Sequence, residues 1–96
     1  MAVTVIATIK AKAGKEEATR KALMALIEPT RAEAGCINYD LHQLTDDSTV
    51  FVFHENWKTK EDLDQHLAKP HLVDFLGKVD ELLAEPVDIK LLDRIG

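Results

Sequence analysis

Apolar and polar residues alternate with a period of two over four separate stretches of the chain. Residues 3–10, VTVIATIK, are rich in β-branched side chains. Residues 36–43 put Ile37, Tyr39 and Leu41 on one face and Asn38, Asp40 and His42 on the other. Residues 49–57 put Phe51, Phe53, Glu55 and Trp57 on one face and Val52, His54 and Asn56 on the other. Near the C-terminus Val87, Ile89 and Leu91 alternate with Asp88 and Lys90. A two-residue period is the mark of a pleated strand, so the pattern predicts four strands. The polar run Thr45-Asp46-Asp47-Ser48 between the second and third predicts an antiparallel hairpin.

The intervening stretches carry helical spacing instead. Over residues 15–34, Ala18, Ala22, Leu23, Leu26, Ile27, Thr30 and Ala34 form an amphipathic stripe. Pro29 lies inside it, lacks a donor and clashes with the carbonyl of Ala25, so a kink or break is expected there. Gly35 is placed to stop the helix. Thr59 followed by Asp62 has the form of a capping box for a second helix ending near residue 68. Pro70 suits the start of a further helical segment, along which Leu72, Phe75, Leu76, Val79, Leu82 and Leu83 make an apolar stripe. Glu85-Pro86 ends it. The order is β-α-β-β-α-β with the second helix broken near Pro70. That is an α+β, ferredoxin-like split βαβ fold with an antiparallel sheet. Helices cover one face. Ile6, Val52 and Leu92 fall on the open face, which predicts a homodimer formed sheet to sheet.

Bulk composition narrows the function. Ninety-six residues make one domain, and 46% hydrophobic content supports a core. Twelve basic against seventeen acidic residues give a net charge of −5, without the basic stripe that nucleic acid requires. No run is long enough for a membrane span and no signal peptide opens the chain, so a cytoplasmic location is expected. Cys36 is the single cysteine and reads as a small buried hydrophobe. There is no glycine-rich phosphate loop or dinucleotide fingerprint. The one serine, Ser48, sits in a polar turn without a base nearby in sequence, which argues against a serine triad.

What remains is the segment 50–71, which holds His54, His66 and His71, Trp57, and a carboxylate, Glu55, among aromatics. Leu63, His66 and Leu67 share a helical face. If that face packs on the aromatic face of the third strand, Glu55, Trp57 and His66 converge. Tyr39 and Phe53 would wall a mainly apolar pocket. His66 is the natural general base, with Glu55 orienting it. The plain alternative is a core that contains a hydrogen-bonded Glu–His pair. His71, at a helix start, would line the pocket mouth, bind an anion or be solvated. His42 and His54 point to the other face and belong to the interface or its rim. His66 and His71 lie five apart with a proline between, which is not the spacing of a helical zinc site, so no metal is expected.

The runs 33–39 (EAGCINY) and 51–57 (FVFHENW), with His66 and Lys69-Pro70-His71, resemble the antibiotic biosynthesis monooxygenase (ABM) domain family over nearly the whole chain. The resemblance implies a dimeric ferredoxin-like α/β barrel and a small aromatic or quinol-like substrate between sheet and helices. Some members are oxygenases that use no metal, flavin or haem, so no cofactor is expected. Glu55, Trp57, His66 and His71 match recurrent positions of the family. Phe53 stands where aromatic-oxidising members can have a substrate-touching asparagine, and Leu63 where they can have a tyrosine. The haem-degrading relatives use an Asn, a Trp and a His. Here the first strand offers Ala7 and Thr8 rather than Asn, and His66 lies at the expected Trp, which disfavours haem degradation. The expected function is cofactor-independent monooxygenation of a phenol or quinol by dioxygen, with His66 and Glu55 catalytic and Tyr39, Phe53, Trp57, Leu63 and His71 about the substrate. An isomerase acting on a small oxo compound and a non-catalytic ligand-binding or stress protein are the alternatives.

Overall fold

In the computed structural model, which describes residues 2–96, the four predicted strands form one antiparallel sheet. They are β1 (Val3–Lys10), β2 (Cys36–Gln43), β3 (Val50–Trp57) and β4 (Asp88–Leu92), in the spatial order β2-β3-β1-β4. Registers Val5↔Glu55, Val5↔Leu91 and Tyr39↔Glu55 put odd-numbered residues of all four strands on the helix-covered face. β3 alternates perfectly, with Phe51, Phe53, Glu55 and Trp57 buried. One residue of β2 departs from the expected alternation. Cys36 pairs with Trp57 and Asn38 with Asn56, so Ile37 is the extra residue of a bulge and is exposed.

The helical layer is more broken than periodicity suggests. The first predicted helix is two, α1 (Glu16–Met24) and α2 (Ile27–Arg31). Pro29 sits within α2, and the break falls upstream at Ala25-Leu26. The carbonyl that Pro29 leaves without a donor belongs to Ala25, so the distortion appears there. The buried stripe runs through Thr19, Leu23, Leu26 and Thr30, whereas Ala18 and Ala34 are exposed. Gly35 does not end the helix in a left-handed conformation, since the one positive-φ glycine among the described residues is Gly14. Its lack of a Cβ serves the close approach of Asp62, whose Cγ would lie 2.2 Å from a Cβ built there.

The second helical region divides into α3 (Lys60–Leu67), α4 (Pro70–Leu76) and α5 (Val79–Leu82). The Thr59 side chain accepts from the Asp62 backbone N–H, as the capping signal predicts. Pro70 opens α4 as expected. The additional break at Gly77-Lys78 lets Leu82 and Leu83 reach the end of β1: Lys12 N–H donates to the Leu82 carbonyl and Ala84 N–H to that of Lys10. The core lies between helices and sheet, around Val5, Ile9, Leu23, Tyr39, Phe51, Trp57 and Leu63. Each such large side chain contributes about 1.5–3 kcal/mol by leaving water. β4 is an edge strand that the helices do not cover, so Ile89 and Leu91 stay 42% and 48% exposed although they face the core side. The sheet does not close on itself.

Candidate active site

A cavity of about 210 Å³ lies between the sheet and α1, α3 and α4. Its walls are mostly aliphatic, and Tyr39, Glu55 and His66 bring polar atoms to it. An apolar cavity of about 150 Å³ is enough for a single aromatic ring. Tyr39 and Phe53 stack with ring centroids 4.3 Å apart and form one wall. Leu63 lines another, and Leu76, Val87 and Ile89 stand where the half-open strand edge meets α4.

Trp57 is not a wall. It is fully buried beneath the cavity, and its ring lies 4.5 Å from the His66 ring. Its indole Nε1 donates to Glu55 Oε1 at 2.9 Å. Strand alternation places Glu55 two residues earlier on the same face, which makes this bond possible. Burial, against the pull of that indole bond and reinforced by the Glu33 charge, raises the Glu55 carboxyl to a pKa of about 7. Burial, with the nearby Glu55 charge, also pushes the Tyr39 phenol up, so it stays a neutral hydroxyl.

The partner of His66 is Glu33 rather than Glu55. His66 Nδ1 lies 2.7 Å from Glu33 Oε2, and His71 Nε2 lies 3.1 Å from the same oxygen. Glu33 sits in the turn between α2 and β2, so three elements meet at one carboxylate. A carboxylate oxygen only accepts, so the two facing ring nitrogens carry the hydrogens. In a neutral imidazole this leaves His66 Nε2 as the basic nitrogen. Burial lowers the His66 pKa, while the Glu33 bond and charge pull it up, so the net effect favours the neutral ring. His71 stands outside the cavity wall and meets the site through Glu33 and through the His66 ring, whose centroid is 6.0 Å from its own.

Glu33 had a signal in the sequence. Leu23, Leu26, Thr30 and Glu33 are spaced three and four apart, so the acid continues the buried stripe past the end of α2. A carboxylate at an inward position needs a partner. His42 and His54 lie on the open sheet face, as expected from alternation.

A small apolar cavity under a ferredoxin-like sheet, with an imidazole held by a carboxylate at its wall, defines a single-domain pocket protein. The antibiotic biosynthesis monooxygenase family model matches residues 2–78, and the chain belongs to that family. A Mycobacterium tuberculosis protein, named provisionally as a monooxygenase, is 38% identical over 94% of this chain and 88% of its own length. An uncharacterised Synechocystis protein is 35% identical over 93% of this chain, which spans 60% of that protein. A crystal structure of a Pseudomonas aeruginosa protein superposes with a TM-score of 0.94 at 41% identity, covering 99% of this chain and 95% of that one.

Proposed function

We propose that the domain is a monooxygenase that oxidises a small phenolic or quinol-type compound with dioxygen and needs no metal, flavin or haem. The observation that carries this reading is the buried His66, set in an apolar cavity of single-ring size with its Nδ1 engaged by Glu33. His66 Nε2 takes the hydroxyl proton of the substrate. The phenolate passes one electron to dioxygen, and the radical pair joins as a peroxide at a ring carbon, ortho or para to the phenolate oxygen, that still bears hydrogen. Loss of the ring hydrogen turns the C–H electron pair into a second C=O as the O–O bond breaks. One oxygen remains in the quinone and the other leaves as water, so the substrate supplies all four electrons. Glu55, poised near neutrality, returns a proton to the departing oxygen. The protein's remaining tasks are orientation and exclusion of water. Two copies pair through the open sheet face.

Oxygen uptake with a panel of hydroquinones and polyphenols, under metal chelation, tests the reading. Uptake is expected to survive chelation and to fall about 10²–10⁴-fold in His66→Ala. Absence of uptake above autoxidation overturns it, and an unchanged product mass would then point to proton-transfer chemistry without oxygen.

A further inference from the structure

Histidine spacing along the chain offers no metal signature, yet the fold brings two imidazoles and a carboxylate to a common point. His66 comes from α3, His71 from the first turn of α4 and Glu33 from the α2–β2 turn. Their nearest ligand atoms all lie within 4.8 Å of one another. We propose that Glu33 Oε2, His66 Nδ1 and His71 Nε2 form a binding site for a divalent transition-metal ion such as Zn²⁺ or Co²⁺.

The donor set is two imidazoles and one carboxylate, which suits borderline ions rather than Ca²⁺ or Mg²⁺. Metal–ligand bonds of about 2.0–2.2 Å at tetrahedral angles put ligand atoms about 3.4 Å apart. The O···N separations of 2.7 and 3.1 Å therefore open by less than about 1 Å when an ion replaces the two shared hydrogens. Glu33 belongs to a turn, so its carboxylate can move without disturbing a helix. The side chain of His71 is 20% exposed, against 2% for His66 and 8% for Glu33, so entry is from the His71 side. Three protein ligands leave a fourth position for water. The Trp57 ring against His66 holds that imidazole in place.

Metal and base are alternatives at His66. An ion on Nδ1 forces the ring hydrogen onto Nε2 and removes the lone pair used for deprotonation. Zn²⁺ therefore suppresses the reaction proposed above, whereas the binding itself rests on the triad's geometry and not on that reaction.

The test is titration of the metal-free full chain with Co²⁺, read by its d–d absorption, and with Zn²⁺, read by calorimetry. One ion per chain and the intense bands of a four-coordinate Co²⁺ site are expected. Glu33→Gln and His71→Ala should each weaken binding by at least about tenfold, and His42→Ala and His54→Ala should leave it unchanged. In the wild type, Zn²⁺ should move the ¹⁵N resonances of His66 Nδ1 and His71 Nε2, a readout that needs no variant to fold. No saturable binding, equal affinity in Glu33→Gln and His71→Ala, or resonance changes confined to His42 and His54 would overturn the site. Saturable binding without any oxygen uptake would leave it standing and count against the oxygenase alone.

Discussion

At the scale of the residue, the site turns on two carboxylates with different environments. Glu33 accepts from two imidazoles, whereas Glu55 has a single indole donor and apolar neighbours. Glu33→Gln should lower kcat by about tenfold or more while leaving KM nearly unchanged, because an amide can hold His66 in the wrong tautomer. Steady-state kinetics across pH would check it, and an unaltered kcat would show that Glu33 does not position the base. Glu55 makes a separate prediction about stability. Its pKa is raised from 4.5 to about 7, so within that window the folded chain keeps a proton that the unfolded chain releases. Stability from this group is complete below the window, falls as pH rises through it and is flat above. The loss amounts to about 3 kcal/mol at most. Glu55→Gln should match the wild type near pH 4.5 and exceed it at pH 8, as read by denaturant unfolding at both pH values. His66, lowered by burial, works in the opposite direction, but it is present in both proteins and drops out of the comparison. Identical pH slopes in wild type and variant would sink the assignment.

At the scale of the element, small residues at contacts matter more than helix propensity. Gly35 packs against the Asp62 side chain, and Asp62 forms the cap of α3 with Thr59. A methyl at position 35 would press on Asp62 Cβ as well as Cγ, and Cβ cannot swing away. Gly35→Ala is therefore expected to cost about 1–3 kcal/mol, partly by breaking the cap. Thr59→Ala, which removes the cap alone, should cost about 1 kcal/mol. Urea unfolding of both variants checks the order. A Gly35→Ala protein as stable as wild type would mean that the two segments separate at little cost. Because α3 carries His66, the same substitution should also impair catalysis.

At the scale of the whole molecule, the sheet has one covered face and one open face. On the open face Thr4, Asn56, Asn38 and His54 form a hydrogen-bonded ladder across three strands, and Asn38 also donates to Asp40. Ile6 lies among them, opposite His54 and Lys90. If two copies pair through this face, light scattering should give twice the chain mass for the wild type and a single chain for Ile6→Asp, with the circular dichroism of the two alike. A wild-type monomer at micromolar concentration would remove the pairing. Among the described residues no helix is long and apolar enough to cross a membrane.

Local periodicity determined the strands, because alternation is a property of neighbouring residues and each strand needs only one buried face. Residues 3–10 and 36–43 were legible to the residue, as were the cap at Thr59 and the restart at Pro70. Four strands and the broken helices in that order then left little choice of topology. Contacts between segments distant in sequence were a different matter. The bulge at Ile37, the break at Gly77 and the glycine needed opposite Asp62 all arise from what a segment meets across the fold. The partner of His66 is the clearest case. Glu55 was the nearer acid along the chain and shares the aromatic face, but Trp57 occupies it. Glu33, thirty-three residues before His66, reaches the ring only because the α2–β2 turn closes over α3. The raised pKa of Glu55 is likewise set by its burial, against the pull of the Trp57 indole bond, and by the approach of Glu33, and all are tertiary quantities.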